Sequence, residues 1–333
     1  MMDVRTLRAV TAITAMLLVG ALVGMASMVS GGYKVTQLRN AFIAQPGNRA
    51  DFDWLPDSAP SEFLNESGVP PADFHHAART LLEALPENES ELDRTLALAR
   101  HLASGPGPGP GVKSSTSETY KAILTERRGY CSDYTQVLNG LGYAAGIPIR
   151  EWGLSFDEYS GDGHGFSEIY DRKLGKWVFV DSFYSMYVVD RSNGVPVSVL
   201  ELRERLAAGA GVETLEVEPI VRERFGFRSP EKALEYYRRG ADQFFLYFGN
   251  NVFSYDANPI VAAMSGVSRA AEESAGIALG IRPGIRLVQT DSNAAAIEGL
   301  LYRRTTFLAL TALVVTLPVA IVFELRSLRR LRR

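Results

Sequence analysis

Apolar residues recur at helical spacing along much of the chain, and the places where that rhythm stops mark its elements. Phe74, Ala78, Leu81, Leu82 and Leu85 form one stripe. Leu92, Leu96, Ala99 and Leu102 form a second, after the turn signals Pro86 and Asn88. Two helices are expected there, and a third over Ser115–Arg127. Gly129 breaks the pattern. Tyr134, Val137, Leu138 and Leu141 then give the apolar face of a helix that opens near Cys131 and stops at Gly146-Ile147-Pro148. The period shortens beyond that point. Ile149–Leu154, His164–Tyr170 and Trp177–Asp181 read as strands, the last two joined as a hairpin through Asp171–Lys176. The polar segment Ser155–Gly163 reads as a loop. Val197–Ala208 is helical by pattern. Ser229-Pro230-Glu231 is a helix start, with a capping serine and a proline at the first helical position, and that helix is expected to run to about Phe248.

Other stretches carry no period. Residues 34–70 are polar and contain Pro46, Pro56, Pro60 and Pro70, so they read as a linker or an ordered loop. Gly105–Gly111 alternates glycine and proline, which no helix or strand interior accepts, and reads as a tether. The alanine-rich residues 261–280 fit neither period well, and residues 281–300 are weakly patterned. No repeat of 20–50 residues is visible.

Both ends are apolar throughout. Ala9–Tyr33 runs 25 residues without a charge and Thr305–Phe323 runs 19. At about 1.5 Å per residue, 19 helical residues span roughly 28 Å, close to one hydrocarbon core. Pro318 lies inside the second run, where a membrane helix tolerates it. Two membrane helices are expected. A cleaved signal peptide is the alternative for the first, with Gly24-Met25-Ala26 as a small-x-small site.

Composition then sharpens the picture. The chain has 333 residues, 46% hydrophobic and 22% charged, with one cysteine and a net charge of -3. That excludes a disordered chain and a disulfide-stapled miniprotein. The average hides a split: the first 33 residues sum to +1, residues 301–333 to +6, and the body between them to -10. An acidic body argues against nucleic acid as a partner. Arg5 and Arg8 precede the first span, and Arg326, Arg329, Arg330, Arg332 and Arg333 follow the second. By the positive-inside rule both termini are cytoplasmic, in an inner-membrane protein whose central domain is exported to the periplasmic or extracellular side. The basic tail reads as a topology determinant or a contact with anionic lipid.

Candidate chemistry centres on the lone thiol. A cysteine opening a helix meets unpaired N–H groups and partial positive charge, which favour the nucleophilic thiolate. His164 begins a strand. Asp181 ends the next one, within a residue or two of lying opposite the histidine if the hairpin turns at Asp171–Lys176. Thiol acyl chemistry needs this set: a sulfur to attack the carbonyl, an imidazole to relay the proton, and a carboxylate to orient the imidazole. His75 and His76 are adjacent on a helix and point to different faces. They lack further ligands at useful spacing, so no metal or other cofactor is expected. His101 lies upstream in a less suitable context. Glu168 shares a strand face with His164, and it reads either as a substrate contact or as a strand salt bridge. Phe166 and Tyr130, beside the presumed base and nucleophile, are further substrate-contact candidates. The aromatic run Phe244–Tyr255 walls a groove or packs the C-terminal region on the core.

At these positions the sequence resembles the transglutaminase-like superfamily. The matching text is Arg128-Gly129-Tyr130-Cys131-Ser132-Asp133-Tyr134, then Gly146-Ile147-Pro148-Ile149-Arg150, Gly163-His164-Gly165-Phe166-Ser167-Glu168-Ile169-Tyr170, and Trp177-Val178-Phe179-Val180-Asp181-Ser182. The resemblance implies an α+β, papain-like core with the catalytic cysteine at a helix start packed on an antiparallel sheet. It implies Cys131, His164 and Asp181 as nucleophile, base and orienting carboxylate. Ser132 stands where the protein-crosslinking members have tryptophan, which points to the broad bacterial branch, and no calcium-loop pattern is visible. The expected organisation is a first span in 1–33, a linker and helical region in 34–88, the core in 89–195, a mainly helical extension in 196–300, and the second span with its basic tail in 301–333. The expected substrate is a peptide, protein or other amide or acyl compound, and the enzyme a cysteine peptidase, amidase or acyltransferase. The competing reading is a catalytically silent binding or scaffolding module with a partner in an envelope or surface-polysaccharide assembly.

Overall fold

The computed structural model describes residues 3–112, 114–209 and 211–331. In chain order the elements are α1 (Val4–Met28), α2 (Gly32–Ile43), β1 (Ala44–Gly47), α3 (Ala72–Glu83), α4 (Glu91–Ala103), α5 (Thr116–Thr125) and α6 (Cys131–Ala144). Next come β2 (Ile149–Ser155), β3 (Gly163–Asp171), β4 (Lys176–Asp181), β5 (Met186–Asp190), β6 (Val195–Pro196), α7 (Val199–Ala208) and β7 (Leu215–Pro219). The chain continues through α8 (Pro230–Arg239), β8 (Phe244–Tyr247), α9 (Val252–Asp256), α10 (Pro259–Ser265), α11 (Arg269–Ala278), β9 (Ile285–Val288) and α12 (Ala294–Leu331). They fall into two compact units.

The larger unit, residues 43–157 and 162–293, is built on one sheet. Its strand order is β1-β9-β8-β2-β3-β4-β5-β6, with β7 also pairing β5. Among the described strands β1 and β9 pair in parallel and the other pairs are antiparallel. Side chains alternate across a strand, so each strand serves two cores. Ile149, Ile169, Val178 and Val180 pack with Leu96, Leu102, Ile123, Leu138 and Leu141 from α4, α5 and α6. Trp152, Phe166, Phe179 and Val188 pack with Leu202, Leu206 and Tyr237 from α7 and α8. Truncating a side chain as buried as Leu138, at 0% exposure, costs about 2–5 kcal/mol. Helices begin where serines cap them: Ser90, Ser115, Ser198 and Ser229 each accept from a backbone N–H three residues on. Each such cap contributes about 1 kcal/mol.

The structure departs from the sequence pattern at α2 and at the end of α8. Residues 34–43, expected to be irregular, belong to α2, and β1 follows as an edge strand. The helix from Pro230 stops at Arg239 instead of continuing to Phe248. Gly240 ends it against β2, where an added Cβ would lie 2.7 Å from Leu154, and Phe244 and Leu246 then alternate into the sheet core as β8. The C-terminal region is mainly helical and also supplies β7, β8 and β9, which complete the sheet. Alternation in these strands is only four or five residues long, too short to register as a period.

The smaller unit comprises residues up to Phe42, residues 158–161 and α12. Both α1 and α12 are long and apolar enough to cross a membrane. Their apolar side chains lie open: Val19 is 59%, Val23 63%, Val315 65% and Phe323 63% exposed, which no soluble core helix would show. Leu7, Thr14 and Ala21 of α1 are buried at a spacing of seven, the repeat that keeps one seam of a helix facing its partner. The Thr14 hydroxyl donates to Glu324 Oε1 (3.1 Å), and Arg303 donates to the Met28 carbonyl (2.7 Å). Of the basic tail, Arg332 and Arg333 lie outside the described residues.

Candidate active site

The start of α6 is set by tight backbone contacts. Gly129 adopts φ +117°, a conformation open to glycine at little cost. Its N–H donates to the Pro110 carbonyl (2.9 Å), and the Gly109 N–H donates to the Gly129 carbonyl (3.4 Å). A Cβ on Gly109 would sit 1.9 Å from the Arg127 oxygen. The Gly-Pro stretch expected to be a tether is therefore one wall of the turn that presents Cys131. Asp133 clamps the same turn from inside α6, its Oδ2 accepting from Tyr130 N (2.7 Å) and Val112 N (3.0 Å). Cys131 is the first helical residue and is partly exposed. The N–H groups of Cys131 and Ser132 precede the first carbonyl-bonded turn of the helix and point out of its end.

His164 lies near the start of β3. The β3–β4 ladder pairs Tyr170 with Trp177, Ile169 with Val178 and Glu168 with Phe179. Continued past its end, that register sets Asp181 opposite Phe166, two residues along from His164. The two are diagonal neighbours on one face, and His164 Nε2 and Asp181 Oδ2 lie 2.6 Å apart. Nδ1 is left free of Asp181, and the Cys131 sulfur lies close enough to act on the same ring. Burial opposes a charged imidazole here. The Asp181 carboxylate, the hydrogen bond to it and the Cys131 sulfur outweigh that penalty and raise the His164 pKa to about 9.

Asp181 is fully buried and well partnered. Its Oδ1 accepts from Tyr184 N (2.9 Å), and its Oδ2 also accepts from the Tyr237 hydroxyl. Burial, followed by the Asp181 charge, pushes the Tyr237 pKa well above the usual phenol value, so Tyr237 remains a donor. Aromatic rings enclose the imidazole: Tyr184 stands 4.7 Å away centroid to centroid, with Phe166, Phe183, Tyr236 and Tyr237 between 5.8 and 5.9 Å. His164 is left 4% exposed, so the His164–Asp181 bond is kept from water while Cys131 is partly exposed.

The remaining sequence candidates fall in different surroundings. Phe166 is fully buried and packs on Phe179, Tyr237 and Phe244 as a floor beneath the imidazole. Glu168 turns away into a buried ion pair. Its Oε2 accepts from Arg150 Nε (2.8 Å), Arg150 Nη2 (2.7 Å) and Trp152 Nε1 (2.7 Å), and its Oε1 from Val199 N (2.7 Å). Both side chains are nearly inaccessible, and Arg150 stacks 3.8 Å over Trp177, so Glu168 offers no free oxygen to a substrate. Removing one partner of such a pair costs about 3–5 kcal/mol by stranding the other charge. Tyr130 is 59% exposed beside Cys131, its ring lying over Gly111. Phe244, Leu246 and Phe248 pack into the core from β8, beside β2. His101 Nε2 bonds the Tyr120 hydroxyl (2.7 Å), and burial lowers its pKa. Among the described residues no group of three metal-binding side chains occurs. Tyr237 escaped the sequence reading, because one tyrosine on the buried face of an amphipathic helix looks like any other core residue.

With this geometry in view, residues 79–182 match the family model of the transglutaminase-like superfamily, and this part of the chain is a transglutaminase-like core. No curated protein and no solved structure matches the chain.

Proposed function

We propose that the protein is a membrane-anchored thiol enzyme that cleaves or transfers an amide or related acyl group through a thioester on Cys131. The observation that carries this reading is the buried His164–Asp181 bond beside a partly exposed cysteine at a helix start. An imidazolium next to the sulfur favours the thiolate. The thiolate attacks the substrate carbonyl, and the oxyanion is met by the outward N–H groups of Cys131 and Ser132. The C–N bond breaks as His164 gives its proton to the departing amine, leaving the acyl group as a thioester. His164 then takes a proton from water or from an amine, which attacks the thioester and restores the thiolate. Asp181, held by Tyr184 N and Tyr237, keeps the imidazole oriented throughout. The two apolar helices and the arginines that flank them support an anchored enzyme whose site faces away from the cytoplasm.

Alkylation of Cys131 across pH tests the chemistry, and the chain's single cysteine makes any label unambiguous. Cys131 is expected to react at neutral pH roughly tenfold or more faster than a free thiol, and His164→Ala to remove that advantage. A Cys131 no faster than a free thiol, unaffected by His164→Ala, overturns the reading. Full biological function of Cys131→Ala in cells would favour a scaffold instead.

A further inference from the structure

Two facing glycines interrupt the face that carries α6: the Phe245 ring covers the first, 2.5 Å from where a Cβ on Gly153 would lie, and the second, Gly165, is more open. Gly153 of β2 and Gly165 of β3 are register partners there. Gly165 adjoins His164. A Cβ built on it would have three neighbours at ordinary contact distance: Thr135 Oγ1 at 3.7 Å, Ser132 Cα at 3.8 Å and Glu151 Oε1 at 3.8 Å. Two of these belong to the first turn of α6, where the Thr135 hydroxyl also donates to the Cys131 carbonyl (2.9 Å). The third is a carboxylate from β2, two residues along from Gly153 and paired with Ser167. One glycine thus brings the carboxyl of Glu151 and the cysteine end of α6 to the same space.

Glu151 differs from the other acidic groups around it. Asp133 is clamped by two N–H groups, Glu168 accepts from three residues, and Asp181 from three. Among the described residues no donor bonds to the Glu151 carboxyl, and the residue is partly exposed. Arg282 acts on it only through space, its guanidinium paired with Glu273 at 3.2 Å. Desolvation, partly offset by Arg282, raises the Glu151 pKa to about 8, as expected of a carboxyl given no partner by its own fold. A carboxyl held partly out of water without a partner is destabilised, and a ligand can recover that cost by supplying the missing donor.

We propose that Glu151 is the specificity residue of this site, accepting an ammonium or guanidinium group of the substrate while the scissile carbonyl lies at Cys131. The inference rests on the acyl-transfer reading and narrows its substrates to cationic amides or acceptors that bring an amine. A positive group at Glu151 gains a charge-assisted bond that Arg282, acting only at a distance, does not make. An anion there meets a like charge or an acid that must stay protonated. Binding of the cation also draws the Glu151 proton off, so uptake of substrate is linked to proton release below the group's own pKa.

The test uses the full chain in detergent and three methanethiosulfonates of similar size, one neutral, one bearing trimethylammonium and one bearing sulfonate. Each forms a mixed disulfide with the Cys131 thiolate and releases methanesulfinate. At a pH between the Glu151 and His164 values, the cationic reagent is expected to outpace the sulfonate by about tenfold after correction for their rates with a free thiol. Glu151→Gln, which keeps the shape and removes the charge, is expected to abolish that ratio. Equal corrected rates for the two charged reagents in the wild-type protein overturn the proposal, and so does a preference that persists in Glu151→Gln. A neutral reagent that finds Cys131 no faster than a free thiol overturns the acyl-transfer reading and this inference with it. A fast neutral reaction without charge preference overturns this inference alone.

Discussion

His164 is where environment most changes a residue. Its pKa stands raised from 6.5 to about 9 because the Asp181 carboxylate outweighs burial. A raised folded-state pKa means that the charged pair stabilises the fold fully below 6.5 and that this contribution is lost as pH rises through about 9. The unfolding free energy of the wild type is therefore expected to fall across that window relative to His164→Ala. A difference between the two proteins that stays flat with pH would show that the ring is not charged in the fold. Tyr237 is the second residue with a specific cost attached. Its hydroxyl bonds a buried carboxylate, so Tyr237→Phe is expected to lose about 1.5–3 kcal/mol by denaturant titration, and to slow Cys131 alkylation as Asp181 loosens.

Among the elements, the turn into α6 shows how backbone proximity works together with a side-chain clamp, that of Asp133. Gly109 and Gly129 allow two strands of loop to pass within hydrogen-bonding range, and that contact aims the helix start at β3. Gly109→Ala forces a Cβ into the Arg127 carbonyl. It is expected to reduce Cys131 alkylation several-fold and to destabilise by about 1–3 kcal/mol. Gly146, with φ +69° and nothing within 4 Å of an added Cβ, serves as the control. Gly146→Ala is expected to cost about 1 kcal/mol from backbone strain and to leave alkylation unchanged. Equal effects of the two substitutions on alkylation would argue against the role given to residues 105–111.

For the whole molecule, the open apolar faces of α1 and α12 lead to a prediction about sides. If the arginines at the chain ends hold both termini in the cytoplasm, Cys131 faces the other way. A maleimide that cannot cross the membrane holding the protein is expected to label Cys131 from outside sealed cells as fully as after lysis. Labelling only after lysis would reverse the orientation. The pair α1–α12 also holds the Thr14–Glu324 hydrogen bond, a polar contact worth about 0.6–2 kcal/mol between membrane helices.

Much of the site was legible in the sequence because its parts are local. A glycine before a cysteine, an apolar stripe behind it, and a hairpin of known turn placed Cys131, His164 and Asp181 on elements that could meet. The register of β3 and β4 set Asp181 two residues from direct opposition to His164, within the range that the turn at Asp171–Lys176 implied. Short strands were not legible: β7, β8 and β9 gain their stability from neighbours that are distant in the chain. Nor could the sequence tell that Glu168 would be enclosed by Arg150 and Trp152, that Tyr237 would hold Asp181, or that Glu151 would be left unpartnered beside the cysteine helix. Hydrophobic period and turn chemistry are properties of neighbouring residues, and they determined the elements and the order of the reactive groups. Which carboxylates are bonded, buried or free depends on contacts across the sheet, and only the tertiary structure decided that.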